Sequence, residues 1–241
     1  MTERTELIVT TSWDDGTVTD LKLAGLLDKY GLSGTFYICR ASSIPDLISE
    51  TDITALDKTF EIGAHTMTHP HLVGIPVAEA SKEIQGSKAY LEDLLGHEVS
   101  MFCYPFGLYN DAVADIVKTS GFTGARTCQP AGFGLSSDPY RFGITLFVSD
   151  GSPLMALRIW LKARLLNIRG LFDWETRAKL LFDLASKKGG IYHIYGHSVE
   201  FEENNEWDKL ERVFSYISNK AGGRYSTNGE VMRLREEKDK L

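Results

Sequence analysis

Cysteine, basic charge and long apolar runs are all scarce in this chain, and each scarcity removes a class of protein. The three cysteines, Cys39, Cys103 and Cys128, are odd in number, irregularly spaced and never in a C-x-x-C pair. They suggest neither a disulfide framework nor a zinc–cysteine site, and reduced thiols are expected. Against 33 Asp and Glu stand 26 Lys and Arg, a formal charge of −7 with a pI near 5.4. A general nucleic-acid binder would instead carry a basic face. No apolar stretch reaches the ~20 residues of a membrane-spanning helix. The most apolar segment, residues 153–168, is shorter and contains Arg158, Lys162 and Arg164. Core packing is expected of it, with an interfacial helix as the alternative. The opening MTERTELIV lacks a signal-type apolar core, so a cytoplasmic location is expected of the chain as written, and an extracellular one had a leader been removed.

What is present is ordinary globular composition, 43% apolar and 24% charged, enough for a full core. No repeat or linker divides it, so one domain over residues 1–241 is expected, with a charged, frayed tail from about Arg233. Residues 7–16, 34–39, 60–64, 99–104, 122–127, 142–148 and 191–195 read as strands. Residues 19–30, 76–95, 111–120, 153–168, 176–188 and 207–220 read as helices, with one or two short helices within 45–58. Gly31 and Gly121 stand just past helix ends, Pro76 falls in a first turn and Asn110 is placed to cap a helix. This alternation argues for a parallel β/α architecture, in which catalytic side chains gather at the C-terminal ends of the strands. Asp14, Asp15, His65, Tyr104 and His197 all fall at such ends.

Two motifs carry the chemistry. The run LIVTTSWDDG closes a β-branched strand with two adjacent carboxylates and a glycine, and 49 residues after that glycine comes His65-Thr66-Met67-Thr68-His69. Side chains alternate along a strand, so Asp14 and Asp15 should diverge, one free to bind a cation and the other to take a proton. Histidines four apart lie on one face of a helical turn, which Pro70 should end at His69. Two histidines and a carboxylate form a facial set with open positions, suited to a divalent metal. The spacing leaves open which aspartate does which task.

Ser12-Trp13-Asp14-Asp15-Gly16 resembles the first motif, T-F-D-D-G, of the polysaccharide deacetylases, the NodB-homology or carbohydrate esterase family 4 enzymes. His65–His69 matches their second, H-[ST]-x-x-H, and Phe102–Gly107 matches part of the third, R-x-P-[FY], with Cys103 where the arginine would stand. The resemblance runs in motif order from about residue 7 to 200. It implies a single-domain distorted (β/α)7 barrel and a metal-dependent hydrolase that removes N-acetyl or O-acetyl groups from a carbohydrate. It further implies Asp15, His65 and His69 as ligands to one divalent metal, zinc foremost with cobalt, nickel or manganese as alternatives, and Asp14 as the base.

The leaving amine needs an acid. The family's last motif places a histidine after an apolar strand, and GIYHIYGH offers His193 and His197. His197 is favoured because it lies beyond the strand end, with His193 as its support or its replacement. Arg126, in the next strand, is the candidate to replace the missing arginine, or else a surface or carboxylate-paired arginine. Asp173-Trp174 resembles the fourth motif and would orient the acid and wall the pocket, or else be a helix-start aspartate and a core tryptophan. A backbone N–H near Tyr104 would help the metal hold an oxyanion. Two other functions stay open: an allantoinase-like hydrolase of another C–N bond, and a noncatalytic carbohydrate-binding protein on the same fold.

Overall fold

Every second side chain of the first strand, β1 (Leu7–Asp15), serves one inner column that changes character as it rises. Ile8 joins an apolar cluster with Tyr37, Met101, Phe142 and Met232. Above it Thr10 bonds Asn228, Ser12 bonds His193, and Asp14 meets Arg126. The alternate residues Leu7, Val9 and Trp13 belong to the larger core between sheet and helices. Period-two alternation thus lets one strand supply both cores.

The computed structural model describes residues 6–134, 136–149, 152–220 and 222–239. In its first half, α1 (Thr19–Lys29), β2 (Thr35–Ile38), α2 (Glu50–Leu56), β3 (Glu61–Ala64), α3 (Val77–Leu95), β4 (Met101–Cys103) and α4 (Asp111–Thr119) alternate as expected. Then come β5 (Gly124–Pro130), β6 (Phe142–Ile144), β7 (Leu146–Phe147), α5 (Pro153–Ala163), α6 (Arg169–Phe172), α7 (Trp174–Lys188) and β8 (Gly190–Gly196). The chain ends with α8 (Ser198–Glu203), α9 (Trp207–Ile217), β9 (Gly223–Tyr225) and α10 (Asn228–Asp239).

All strand pairs are parallel, in the order β6-β5-β4-β3-β2-β1-β8-β7. Strands β6 and β7 are separated only by Thr145, whose N–H donates to His193 O at 2.9 Å. Their segment pairs with β5 through its first half and with β8 through its second, so it serves as one stave that links the two ends of the order. The result is the distorted (β/α)7 barrel. Strand β9 lies outside that ring, beside Leu7–Val9 at the start of β1, below the level where β2 pairs with Ser12–Asp15. Tyr37 fills the interior, which requires Gly63 opposite: a Cβ there would come within 2.5 Å of the Tyr37 ring.

Several boundaries depart from the sequence pattern. The fifth strand starts and ends later than 122–127. The expected helix over 153–168 stops at Ala163, where Arg164 adopts a left-handed conformation (φ 53°) and Leu165 N–H returns to Trp160 O. The stretch from Arg233, expected as a frayed tail, continues α10 as far as Asp239. That helix is anchored by buried Asn228, Val231 and Met232 across the N-terminal ends of the strands. Helix α8 and strand β9 were not legible as separate elements.

Candidate active site

Four of the eight non-glycine residues with positive φ among the described residues, Asp15 (85°), Thr66 (65°), His69 (55°) and Phe106 (59°), cluster where β1, β3 and β4 end. Such conformations cost of order 1–3 kcal/mol each and persist where surrounding contacts impose them. They change two expectations. The segment from His65 to His69 is an irregular loop rather than a helical turn, and its left-handed residues bring the two Nε2 atoms to 3.1 Å. Asp14 and Asp15 diverge only in part, because the turn of the backbone at Asp15 leaves both carboxylates near His65 Nε2, at 3.8 and 3.7 Å. Gly16 (φ 74°) completes the turn against Ile38, whose Cδ1 would lie 2.9 Å from a Cβ.

His65 is buried, and its Nδ1–H donates to Cys103 O at 2.8 Å, so the Nε2 lone pair faces the cluster. Burial keeps His65 below its ordinary pKa despite the nearby aspartates; burial and His65 together lower His69 to about 4. Both rings therefore stay neutral and able to donate a lone pair. Asp15 Oδ1 lies 3.6 Å from His69 Nε2 and is a buried oxygen with no hydrogen-bond partner among the described residues. Two sets of three ligating atoms lie within 4.8 Å of one another: Asp15, His65 and His69, and Asp14, His65 and Cys103. In the second set burial pushes the Cys103 thiol far up, and it donates to Asp14 Oδ2 at 3.5 Å.

Asp14 is engaged otherwise. Its Oδ1 accepts from Arg126 Nη2, and burial, which would raise its pKa, is overcome by Arg126 and His65, leaving it at about 2. Arg126 rises from β5 with its guanidinium 4.1 Å from the Tyr195 ring centroid and 5.4 Å from that of Tyr37, and Nη1 donates to Cys128 Sγ at 3.1 Å. It reaches Asp14 beside Cys103.

His197 stands just past β8. Its Nδ1 bonds Glu200 Oε1 at 2.9 Å, and Phe147 flanks the ring edge-on at 6.3 Å. Burial disfavours its charge, yet the bond to Glu200 and the fields of Asp14 and Asp15 raise it to about 9. His193 is enclosed lower in the barrel, bonded to Ser12 Oγ (2.8 Å) and Gly143 O (2.9 Å) and stacked on Phe142. Burial and Arg126 lower it to about 3.

The other candidates face elsewhere. Asp173 caps α7 through Thr176 N–H at 2.9 Å, and Trp174 is buried with its Nε1–H on Glu206 and its ring against Phe201. Neither contacts His197 among the described interactions. Tyr104 donates its hydroxyl to Tyr140 O, and its own backbone N–H bonds Arg126 O at 3.3 Å within the sheet.

Sequence reasoning missed Glu200 and a buried cluster beside it. Ser198 Oγ donates to Asp20 Oδ1 at 2.5 Å and lies 2.7 Å from Thr19 Oγ1, tying the loop after β8 to the start of α1. Burial pushes Asp20 up to about 7. The i, i+3 spacing of His197 and Glu200 at a helix start was the available signal. Phe106 was also missed; it is half-exposed, 4.5 Å from the His69 ring and stacked on His71 at 4.0 Å.

The family model described as polysaccharide deacetylase matches residues 2–125, more than half of the chain. The chain belongs to the polysaccharide deacetylase family. It is 28% identical over 113 residues to the peptidoglycan-N-acetylmuramic acid deacetylase PdaC of Bacillus subtilis, covering 46% of this chain and 24% of that protein. It is 24% identical over 128 residues to YxkH of the same organism, 52% of this chain and 46% of the other. The matches thus span about a quarter and under half of these relatives' lengths. Among solved structures, one from Mycobacterium smegmatis shares the fold over 99% of this chain and 93% of its own, with a TM-score of 0.70 at 15% identity. The chitin deacetylase of Colletotrichum lindemuthianum does so over 94% and 87%, with a TM-score of 0.61 at 14% identity. Within this chain the matched segment holds Asp14, Asp15, His65 and His69, whereas Arg126 and His197 lie beyond it.

Proposed function

We propose that this chain acts as one catalytic unit, a metal-dependent hydrolase that removes N-acetyl or O-acetyl groups from a carbohydrate. The single observation that carries this is Asp15 Oδ1, a buried carboxylate oxygen without a hydrogen-bond partner among the described residues, facing the lone pair of His65 and the ring of His69. Buried charge without compensation is costly, and a divalent cation supplies the compensation. The neutral imidazoles and one carboxylate suit zinc best, with cobalt, nickel or manganese as alternatives. The set of Asp14, His65 and Cys103 is disfavoured, because Asp14 is committed to Arg126 and the thiol keeps its proton.

A cation held there supplies Lewis acidity toward water and an acyl carbonyl. Asp14, ionised and fixed by Arg126, accepts the proton of the attacking water. Arg126 thereby takes over, from a different strand, the task of the arginine that Cys103 replaces. His197, kept cationic by Glu200, gives its Nε2 proton to the departing amine, while His193 stays neutral and holds the interior packing below. Phe106 offers an apolar face on which a sugar ring can rest.

The test is acetate release from a panel of N-acetylated and O-acetylated oligosaccharides, with ring opening of cyclic amides followed beside it. Release from the sugars that chelator abolishes and added zinc restores is expected. Turnover of cyclic amides alone would replace this function by an allantoinase-like one, and turnover of nothing with metal bound would leave a carbohydrate-binding protein.

A further inference from the structure

Helix α5 and the turn after it present an apolar face to solvent. Leu154, Leu157 and Leu161 recur at helical spacing on one side of α5 and are exposed, whereas Ala156 and Ile159 on the other side are buried. Leu166, 98% exposed, Ile168 and Phe172, 74% exposed, continue this character through α6. Half of the large apolar side chains exposed among the described residues fall between residues 154 and 172.

The charge of the same segment runs against that of the chain. Residues 152–172 hold Arg158, Lys162, Arg164 and Arg169 and no acid, in a chain of net charge −7. All four cations are exposed. At about 100° per residue, Arg158 and Lys162 fall beside the leucine row rather than opposite it. An apolar row with a basic edge is the pattern of a helix lying in a lipid interface. Among the described residues no helix is long and apolar enough to cross a membrane, so the contact would be peripheral.

We propose that the α5–α6 face docks this protein on an anionic membrane surface. A lipid surface supplies hydrocarbon for the leucines and phosphate for the cations. A second copy does so poorly, because a two-fold contact would set the four cations against their own duplicates. Phe147, which lies edge-on to the His197 ring, closely precedes α5 in sequence, so docking would hold the candidate site's rim near the lipid surface.

The test is co-sedimentation of the chain with vesicles of phosphatidylglycerol mixed with phosphatidylcholine, against phosphatidylcholine alone, at low and raised salt. It reads binding only and is independent of whether the chain deacetylates anything. Binding to the anionic vesicles that weakens with salt is expected, and Arg158→Gln with Lys162→Gln should lower the partition coefficient roughly 30-fold. Leu161→Asn with Phe172→Asn should lower it by at least about tenfold. All four positions are exposed, so unchanged thermal denaturation should show that the variants fold. Equal affinity for both vesicle types, or undiminished binding by the charge variant, would overturn the proposal. So would concentration-dependent dimerisation, without vesicle binding, that the leucine and phenylalanine changes abolish, since it would assign the face to a second copy.

Discussion

The two ends of the barrel both bury polar groups, and they treat them oppositely. At the N-terminal floor, Asn228 accepts from Thr10 (2.9 Å), donates to Tyr37 (2.9 Å) and takes Thr35 Oγ1 on its backbone N–H (2.9 Å). Thr35 and Gly229 in turn bond Glu61. At the rim, Asp15 Oδ1, Asp20 Oδ2 and Arg126 Nε lack hydrogen-bond partners among the described residues, and left-handed backbone gathers near them. A closed polar network fixes the floor, whereas open valences and strained backbone collect at the rim, the end proposed to hold the metal.

The largest contrast should come from Asp14→Asn. Activity should fall roughly 10²–10⁴-fold with bound metal retained, as kcat and elemental analysis will show. His197→Ala should cost a similar factor on an N-acetyl sugar and much less on an activated ester, whose leaving group needs little protonation. Equal loss on both substrates would remove its role as the acid.

At the floor, Asn228→Ala leaves the Thr10 and Tyr37 hydroxyls unpaired and should cost roughly 2–4 kcal/mol in denaturant unfolding, with kcat unchanged at a temperature where the variant is folded. A matching fall in kcat would erase the division between the two ends.

The smallest effect concerns pH. His197 is raised from 6.5 to about 9, so its charge contributes stability below about 6.5 that is lost as pH rises through about 9. Activity that needs its proton falls over the same alkaline limb. Glu200→Gln should move that limb down toward 6.5, with less than about a tenfold loss at neutral pH, read from the pH profile of kcat/KM.

The floor and the rim were also unequally legible. Periodicity and glycine stops placed the staves from β1 to β4 and β8, because short apolar runs stand out from the amphipathic helices between them. Asp14, Asp15, His65 and His69 were visible through motif spacing. The histidine loop was not, because i, i+4 spacing is shared by a helical turn and a left-handed loop, and only the structure distinguishes them. Arg126 was legible as a candidate, whereas its approach to Asp14 depends on the ring bringing β5 round to β1. Asp173 and Trp174 matched a two-residue motif, which a helix cap and a core aromatic satisfy equally well. The floor was hidden because Asn228, Val231 and Met232 sit within a charged sequence whose few buried residues gain meaning only from the barrel beneath which they close.

The most direct measurement is the number of divalent ions held per chain after dialysis, compared across Asp14→Asn, Asp15→Ala, His65→Ala, His69→Ala and Cys103→Ala. If Asp15, His65 and His69 form the centre, about one ion per chain stays with the Asp14 and Cys103 variants and is lost from the other three. Full occupancy in both histidine variants, or loss confined to the Asp14, His65 and Cys103 variants, would contradict it.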